Sequence, residues 1–195
     1  KPLKNILNKK IGNKKILHII TGLSLGGTEL NLYRLIRNDN NNYHCVISMI
    51  DKGKYGEKII KSGAELYTLG MSKTDSRGLR GTIYVRKIFL LYSLIKMIKP
   101  DIVQTWLYHA DFGGGIMARL AGIKNIYWGI RSTHYYNDQI TKKTKIIIRL
   151  CSVLSYIIPK KIICNSKSAA KLHSKLGYNS KKISVINNGY NLSKF

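Results

Sequence analysis

The stretch GLSLGGTE, residues 22–29, joins an apolar run, KILHII, to a helical pattern, LNLYRLI. Paired glycines at a helix start leave backbone N–H groups open. Gly26 and Gly27 therefore suit a phosphate or sugar resting on the positive helix end. The same glycines equally serve a tight strand-to-helix turn, and Glu29 complements the helix dipole from its first turn. A dinucleotide fold wants G-x-G-x-x-G and an acid roughly 20 residues later. Asp51, 24 residues after Gly27, supplies the acid, but G-x-x-x-G-G has the wrong glycine spacing.

Three later stretches carry further polar chemistry. In QTWLYHADFGGG, residues 104–115, His109 falls near a helix start. It can hydrogen-bond a sugar hydroxyl or phosphate, or move a proton, or simply cap the helix. Trp106 and Tyr108 offer stacking faces or core packing, and the Gly113–Gly115 triplet suits close helix packing. In WGIRSTHYY, Arg131 is followed directly by Ser132, Thr133 and His134. A guanidinium with hydroxyl donors matches a phosphate or carboxylate, though a surface Arg on a solvated loop reads the same way. In CNSKSAA, Ser166 is a helix N-cap that is also placed to donate to a ligand. Paired carboxylates, a His/Cys/Asp metal set and a nucleophile–base motif are all missing from the sequence, and with 9 acids in all, general acid–base chemistry is poorly supplied.

These residues need elements to hold them. The sequence predicts strands at 15–20, 43–50, 64–69, 101–106, 125–130, 161–165 and 181–186. Helices are predicted at 28–37, 56–62, 82–99, 109–121, 142–157 and 167–176, with Pro100 and Pro159 as stops and Gly122 and Gly177 as closing glycines. Such β-α-β alternation defines an α/β protein: a Rossmann-like, doubly wound parallel sheet of six to seven strands with helices on both faces. Ligands bind such sheets at the C-terminal strand edge, near the point where strand order reverses. The loops that matter are then 21–27, 51–55, 70–81, 105–109, 131–138 and 165–168.

The 195 residues make one domain with enough apolar side chains for a core. The organisation read from the chain is a basic segment at 1–14, the domain at 15–186, and the start of a linker at 187–195. The balance of 34 Lys+Arg against 9 Asp+Glu gives a net charge of +25. That field attracts polyanions, whether nucleic acid, anionic lipid or phosphorylated substrates. An overall bias toward Lys, Asn and Ile explains it as well. Cys45, Cys151 and Cys164 are spaced for neither metal nor disulfides and fit buried thiols in a reducing cytosol. No run approaches the roughly 18 apolar residues of a membrane span.

Taken together, the loops resemble a known family. GLSLGGTE is similar to the G-L-x-x-G-G-x-E loop of family-four glycosyltransferases. KPDIVQTWLYHADFGGGIMARLAGI resembles their K-P-D-V-V-H-x-H segment and the helix ending A-R-L-A-G. KKIICNSKSAAKLHSKLGYNSKKISVINNGYNLSKF resembles the stretch running into V-I-P-N-G-V-D-x-x-x-F. The likeness runs from about residue 15 to the end, and the order and spacing of the three motifs make it specific. Gln104, Trp106 and Arg131 stand where many members carry histidines, and Asn187 and Asn191 replace the usual Pro and Asp. These departures bear on acceptor-site details more than on the fold.

The resemblance implies the N-terminal half of a GT-B fold, in which two Rossmann-like domains face each other. It implies sugar transfer from a nucleotide-sugar donor with retention and without a metal, to a glycan or lipid-linked acceptor, in surface polysaccharide or lipopolysaccharide assembly. By position, Gly26 and Gly27 line the donor phosphate. Arg131 and His134 face the transferred sugar or acceptor, with His109 and Ser166 as further contacts. The nucleotide and the main acidic motif belong to a C-terminal donor domain outside this sequence, so the piece alone is expected to be inert. Localisation is expected in the cytoplasm, peripherally on an anionic membrane through TKKTKIIIRLCSVLSYIIPKK, an apolar stretch with cationic flanks. A dinucleotide-binding module of another enzyme class remains as the alternative, to be marked by NAD binding through Asp51. A basic nucleic-acid module is a third reading, disfavoured because the strands lack interleaved aromatic and basic residues.

Overall fold

Seven strands and six α-helices alternate along the residues that the computed structural model describes, 13–71, 81–131 and 140–189. The strands are β1 Lys15–Ile20, β2 Tyr43–Ser48, β3 Glu65–Thr68, β4 Ile102–Trp106, β5 Ile126–Ile130, β6 Lys161–Cys164 and β7 Ile183–Val185. The helices are α1 Gly27–Asn38, α2 Gly56–Lys61, α3 Gly81–Ile98, α4 Gly115–Leu120, α5 Lys142–Leu154 and α6 Lys167–Lys175. All pairings are parallel, in the order β3-β2-β1-β4-β5-β6-β7. The order reverses between β1 and β4, which places the switch point at the loops following those two strands.

Right-handed crossovers sort the helices by direction of travel across the sheet. α1 and α2 cover one face, where Leu32, Ile36 and Ile59 pack on Ile20, Val46 and Trp106. α3 to α6 cover the other, where Leu91, Ile95, Ala118, Ile148 and Ala169 meet Leu17, Ile19, Val103 and Trp128. Burial on both faces explains why the strands read as continuous apolar runs. Each fully buried Leu or Ile contributes about 1.5–3 kcal/mol. Cys45, Cys151 and Cys164 are free and buried in the second layer, as their apolar settings predict.

The elements follow the sequence pattern closely, with two local differences. Strand ends are shorter than predicted by one or two residues, because the last apolar residue of several runs already belongs to the turn. The expected helix 109–121 does not begin as an α-helix: Ala110–Gly114 form a π-helical turn before α4. The missing side chains at Gly114 and Gly115 let this turn lie close against the sheet. A Cβ on Gly114 would sit 2.9 Å from Ile19 Cγ2, and one on Gly115 would sit 2.8 Å from Trp128 Nε1. Gly114 and Gly115 of the triplet therefore serve packing. Gly122 ends α4 at φ +90°, the left-handed conformation that the closing-glycine reading requires.

Candidate functional site

The loop after β1 leads into α1 with Gly26 as the N-cap and Gly27 as the first helical residue. No side chain caps this end, and both glycines are exposed. Space around them differs. A Cβ on Gly27 would meet nothing within 4 Å, whereas one on Gly26 would collide with the Glu29 carboxylate, which folds back over the helix start. Glu29 thus occupies the position that an anion would take. The loop is braced from behind: Gly53, at φ +48°, lets the β2 loop press against the Leu23 backbone, and Tyr55 N–H donates to Leu23 O at 3.0 Å.

Across the switch point, β4 ends in Trp106 and the chain turns at Leu107, which holds φ +74°. A leucine in the left-handed region is strained by about 1–2 kcal/mol, so neighbouring contacts must hold it there. Leu107 N–H donates to Gly129 O at 3.3 Å and Leu107 O accepts from Asp111 N–H at 2.9 Å. Asp111 is fully buried and accepts from Thr105 Oγ1, while its Oδ2 finds no partner. Burial holds this carboxyl well above the usual carboxylate range, against the hydrogen bonds from Thr105 and the Gly129 backbone. Asp111 therefore ties β4, the turn and β5 together from inside. The product of this bracing is an exposed His109, whose ring is kept below the ordinary histidine pKa by desolvation.

Arg131 emerges one residue past β5, beside the end of β4. Its guanidinium lies over the Trp106 ring, 4.6 Å from the centroid, and Nη1 donates to Asn188 Oδ1 in the segment after β7. Its Nε is buried without a hydrogen-bond partner, and desolvation lowers its pKa. Trp106 and Tyr108 are both buried. Trp106 is thus a platform for Arg131, while Tyr108 hydrogen-bonds His173 Nε2 at 2.9 Å in the opposite layer. Ser166 caps α6, accepting from Ala169 N–H at 3.1 Å, with Ser168 Oγ 2.9 Å from its hydroxyl. His134, Ser132 and Thr133 lie outside the described residues.

A buried histidine pair behind Trp106 escaped the sequence reading. Trp106 Nε1 donates to His18 Nδ1 at 3.3 Å, and His18 Nε2 is 3.0 Å from His44 Nδ1. His44 Nε2 lies 3.3 Å from Asp39 Oδ2, close enough for attraction though not aligned as a hydrogen bond. An indole nitrogen only donates, so His18 Nδ1 must be bare and its proton must sit on Nε2. That proton goes to His44 Nδ1, leaving the His44 proton on Nε2, facing Asp39. Both rings are neutral in this arrangement. Burial, aided by His44, pushes His18 down to about 3, and burial also lowers His44 against the pull of Asp39. Burial alone would raise Asp39, but hydrogen bonds from Asn42 and Asn41 and the nearness of His44 hold it below its ordinary value. The available signal was a single histidine inside the apolar run KILHII.

The structure therefore brings the open α1 N-terminus, His109 and Arg131 to one edge of adjoining strands β1, β4 and β5, with Ser166 one strand further along. This is an α/β nucleotide-type fold with its candidate site at the switch point. The family model of Glycosyltransferase Family 4 matches residues 27–194, and the chain belongs to that family. It is 30% identical over 114 residues to the Escherichia coli UDP-Gal:alpha-D-GlcNAc-diphosphoundecaprenol alpha-1,3-galactosyltransferase, covering 57% of this chain and 29% of the relative. Among solved structures it resembles Anabaena HepE in complex with UDP and glucose, at a TM-score of 0.71 and 14% identity, over 93% of this chain and 46% of that one. It also resembles the apo lipopolysaccharide outer core galactosyltransferase WaaB, at 0.64 and 16%, over 91% and 46%. The two structures show the fold, one half of a GT-B glycosyltransferase. The chain spans less than half the length of these relatives.

Proposed function

We propose that the chain forms the acceptor-side half of a retaining glycosyltransferase that takes a nucleotide-sugar donor. The observation carrying this is the uncapped α1 N-terminus at the switch point, beside an Arg131 with an unpaired Nε. A helix N-terminus and a guanidinium are both complementary to a diphosphate. The UDP in the HepE complex and the UDP-Gal of the Escherichia coli galactosyltransferase support that donor class. In this reading Glu29 swings off Gly26 when the donor phosphates arrive, and Gly27 makes the closest backbone approach. His109 and His134 face the acceptor or the transferred sugar, and Ser166 is a contact at the rim. Transfer proceeds without a metal, the nucleotide being held chiefly by a second, facing domain.

The experiment is sugar transfer by the two-domain protein carrying this chain. Radiolabelled UDP-sugars are offered with a diphospholipid-linked sugar acceptor, and the product anomer is read by NMR. Transfer with retention, unchanged by EDTA and absent when this chain is supplied alone, is expected. Inversion, or a rate abolished by EDTA, would overturn the mechanism. Turnover by the chain alone would overturn its assignment as a half.

A membrane-facing role rests on a separate observation. Ile146, Leu150 and Val153 form an exposed stripe on α5 that continues to exposed Tyr156 and Ile157, between lysines at 142, 143, 145, 160 and 161. No helix among the described residues is long and apolar enough to cross a membrane. An apolar stripe between cations suits a helix lying in the headgroup region of an anionic bilayer on the cytoplasmic side, where a lipid-linked acceptor would be presented. Co-sedimentation with phosphatidylglycerol vesicles but not with phosphatidylcholine vesicles is expected, and Leu150→Glu with Val153→Glu should abolish it. Equal sedimentation with both lipids would discard the idea.

A further inference from the structure

The histidine pair stands on the sheet face that carries Trp106, and its geometry runs in one direction. His44 is the second residue of β2, His18 is in the middle of β1, and Trp106 ends β4. In register, His44 pairs with Ile16 and Trp106 with Ile20, so each step moves two residues toward the C-terminal edge. The stacked His18 and His44 rings have centroids 5.2 Å apart at 15°. Each hydrogen-bonding step requires the preceding one: the Trp106 N–H fixes the His18 tautomer, which fixes that of His44, which turns an N–H toward Asp39. At the far end the indole face carries Arg131.

We propose that His18, backed by His44 and Asp39, is a positioning residue that locks the Trp106 indole and through it presents the Arg131 guanidinium to a diphosphate at the strand edge. This rests on the donor class proposed above. The physical reason is entropic and geometric. An arginine carries large rotamer freedom, and a face-on indole restricts it only if the indole is itself fixed. Hydrophobic packing alone permits a buried tryptophan to tilt, whereas one directed N–H···N bond sets the ring's rotation. The unpaired Arg131 Nε gives the guanidinium a donor that the protein leaves without an acceptor. Arg131 would be the group that touches the ligand; His18 acts only through Trp106.

The test uses this chain, labelled with 15N, and inorganic pyrophosphate as the probe. Long-range 1H–15N spectra are expected to show His18 and His44 both protonated at Nε2. Pyrophosphate should shift the Arg131 Nε–H and Trp106 indole resonances, and Arg131→Gln should remove binding. His18→Leu should weaken pyrophosphate binding about five- to tenfold, the worth of one hydrogen bond, and displace the indole resonance. His18→Gln, whose side chain retains an acceptor, should restore most of the affinity. Trp106→Phe keeps an aromatic ring without the N–H and should lose affinity as His18→Leu does, which covers the case in which His18→Leu fails to fold. Unchanged affinity in His18→Leu or Trp106→Phe, with Arg131→Gln still abolishing binding, overturns the positioning role and leaves the donor reading intact. Absence of pyrophosphate binding to the unmodified chain, or binding indifferent to Arg131, overturns the proposal at its ligand; the donor reading then stands or falls on the transfer assay. A His18 proton on Nδ1 overturns it directly.

Discussion

Two glycine clusters lie on opposite sides of the same sheet, and they do opposite things. Gly114 and Gly115 are pressed against Ile19 and Trp128, where one added carbon would meet heavy atoms at 2.8–2.9 Å. Gly27 begins a helix that points into open space, with nothing within 4 Å of where its Cβ would be. In the first cluster, glycine is required by what is already packed there. In the second, the protein itself imposes no requirement, so a reason for glycine must be sought in something that binds. Gly26 falls between, since its only obstacle is the far end of the flexible Glu29 side chain.

The sharpest way to break this contrast is to fill the packed cluster. Gly115→Ala forces Trp128 or Ile158 to move, and Gly114→Ala forces Ile19 to move, each costing about 1–3 kcal/mol as overpacking does. Urea unfolding should show both losses, and no loss for either would remove packing as the reason for the triplet.

The second prediction probes the Trp106 face through protonation rather than volume. His18 is held to about 3 in the folded chain against an ordinary 6.5. Between these values the unfolded chain binds more protons, so this contribution is complete above pH 6.5 and is lost as pH falls toward 3. Stability should drop by about 1.4 kcal/mol per pH unit across that window from His18. Replacing His18 with Gln should flatten the pH profile of urea midpoints. A profile unchanged by that replacement would show that the pair does not govern acid stability.

A smaller effect separates a cap from a ligand contact. Ser166→Ala removes the α6 N-cap and should cost about 1 kcal/mol, with donor KM unchanged if capping is its whole role. A raised KM would return Ser166 to the site. The smallest effect on stability is the most informative about binding. Gly27→Ala should leave the fold unchanged or stabilise it by up to about 1 kcal/mol, because alanine is the better helix former and has room. Donor KM in the proposed two-domain transferase should nevertheless rise about tenfold if a phosphate approaches that backbone. An unaltered KM would make both clusters structural.

Much of the fold was legible because its signals are local. Each strand is a short apolar run, each helix has its stop, and the alternation itself implies a parallel sheet. The candidate site was legible only in part. Gly26, Gly27, His109, Arg131 and Ser166 were found because ligand-edge loops can be located from strand ends alone. What they do there was not settled: the sequence left Ser166 as cap or donor, and the structure shows the cap. Trp106 read as a face for sugar or for the core, and proves to be the bed for Arg131. The π-helical turn at Ala110–Gly114 was invisible because it arises from how closely the chain approaches Ile19 and Trp128, and from Asp111 binding Thr105 across the turn.

By itself, then, the sequence determined the order and type of the elements, the parallel winding and the edge that holds the candidate site, since apolar periodicity, prolines and closing glycines act over a few residues. Only the tertiary structure decided which polar groups work together. Asp39, His44, His18, Trp106 and Arg131 are scattered between residues 18 and 131, and no spacing rule links them. They meet because β2, β1 and β4 are neighbours in the sheet and residues of like parity share a face. A hydrogen bond between strands depends on that adjacency, which is a property of the whole sheet and of no single segment.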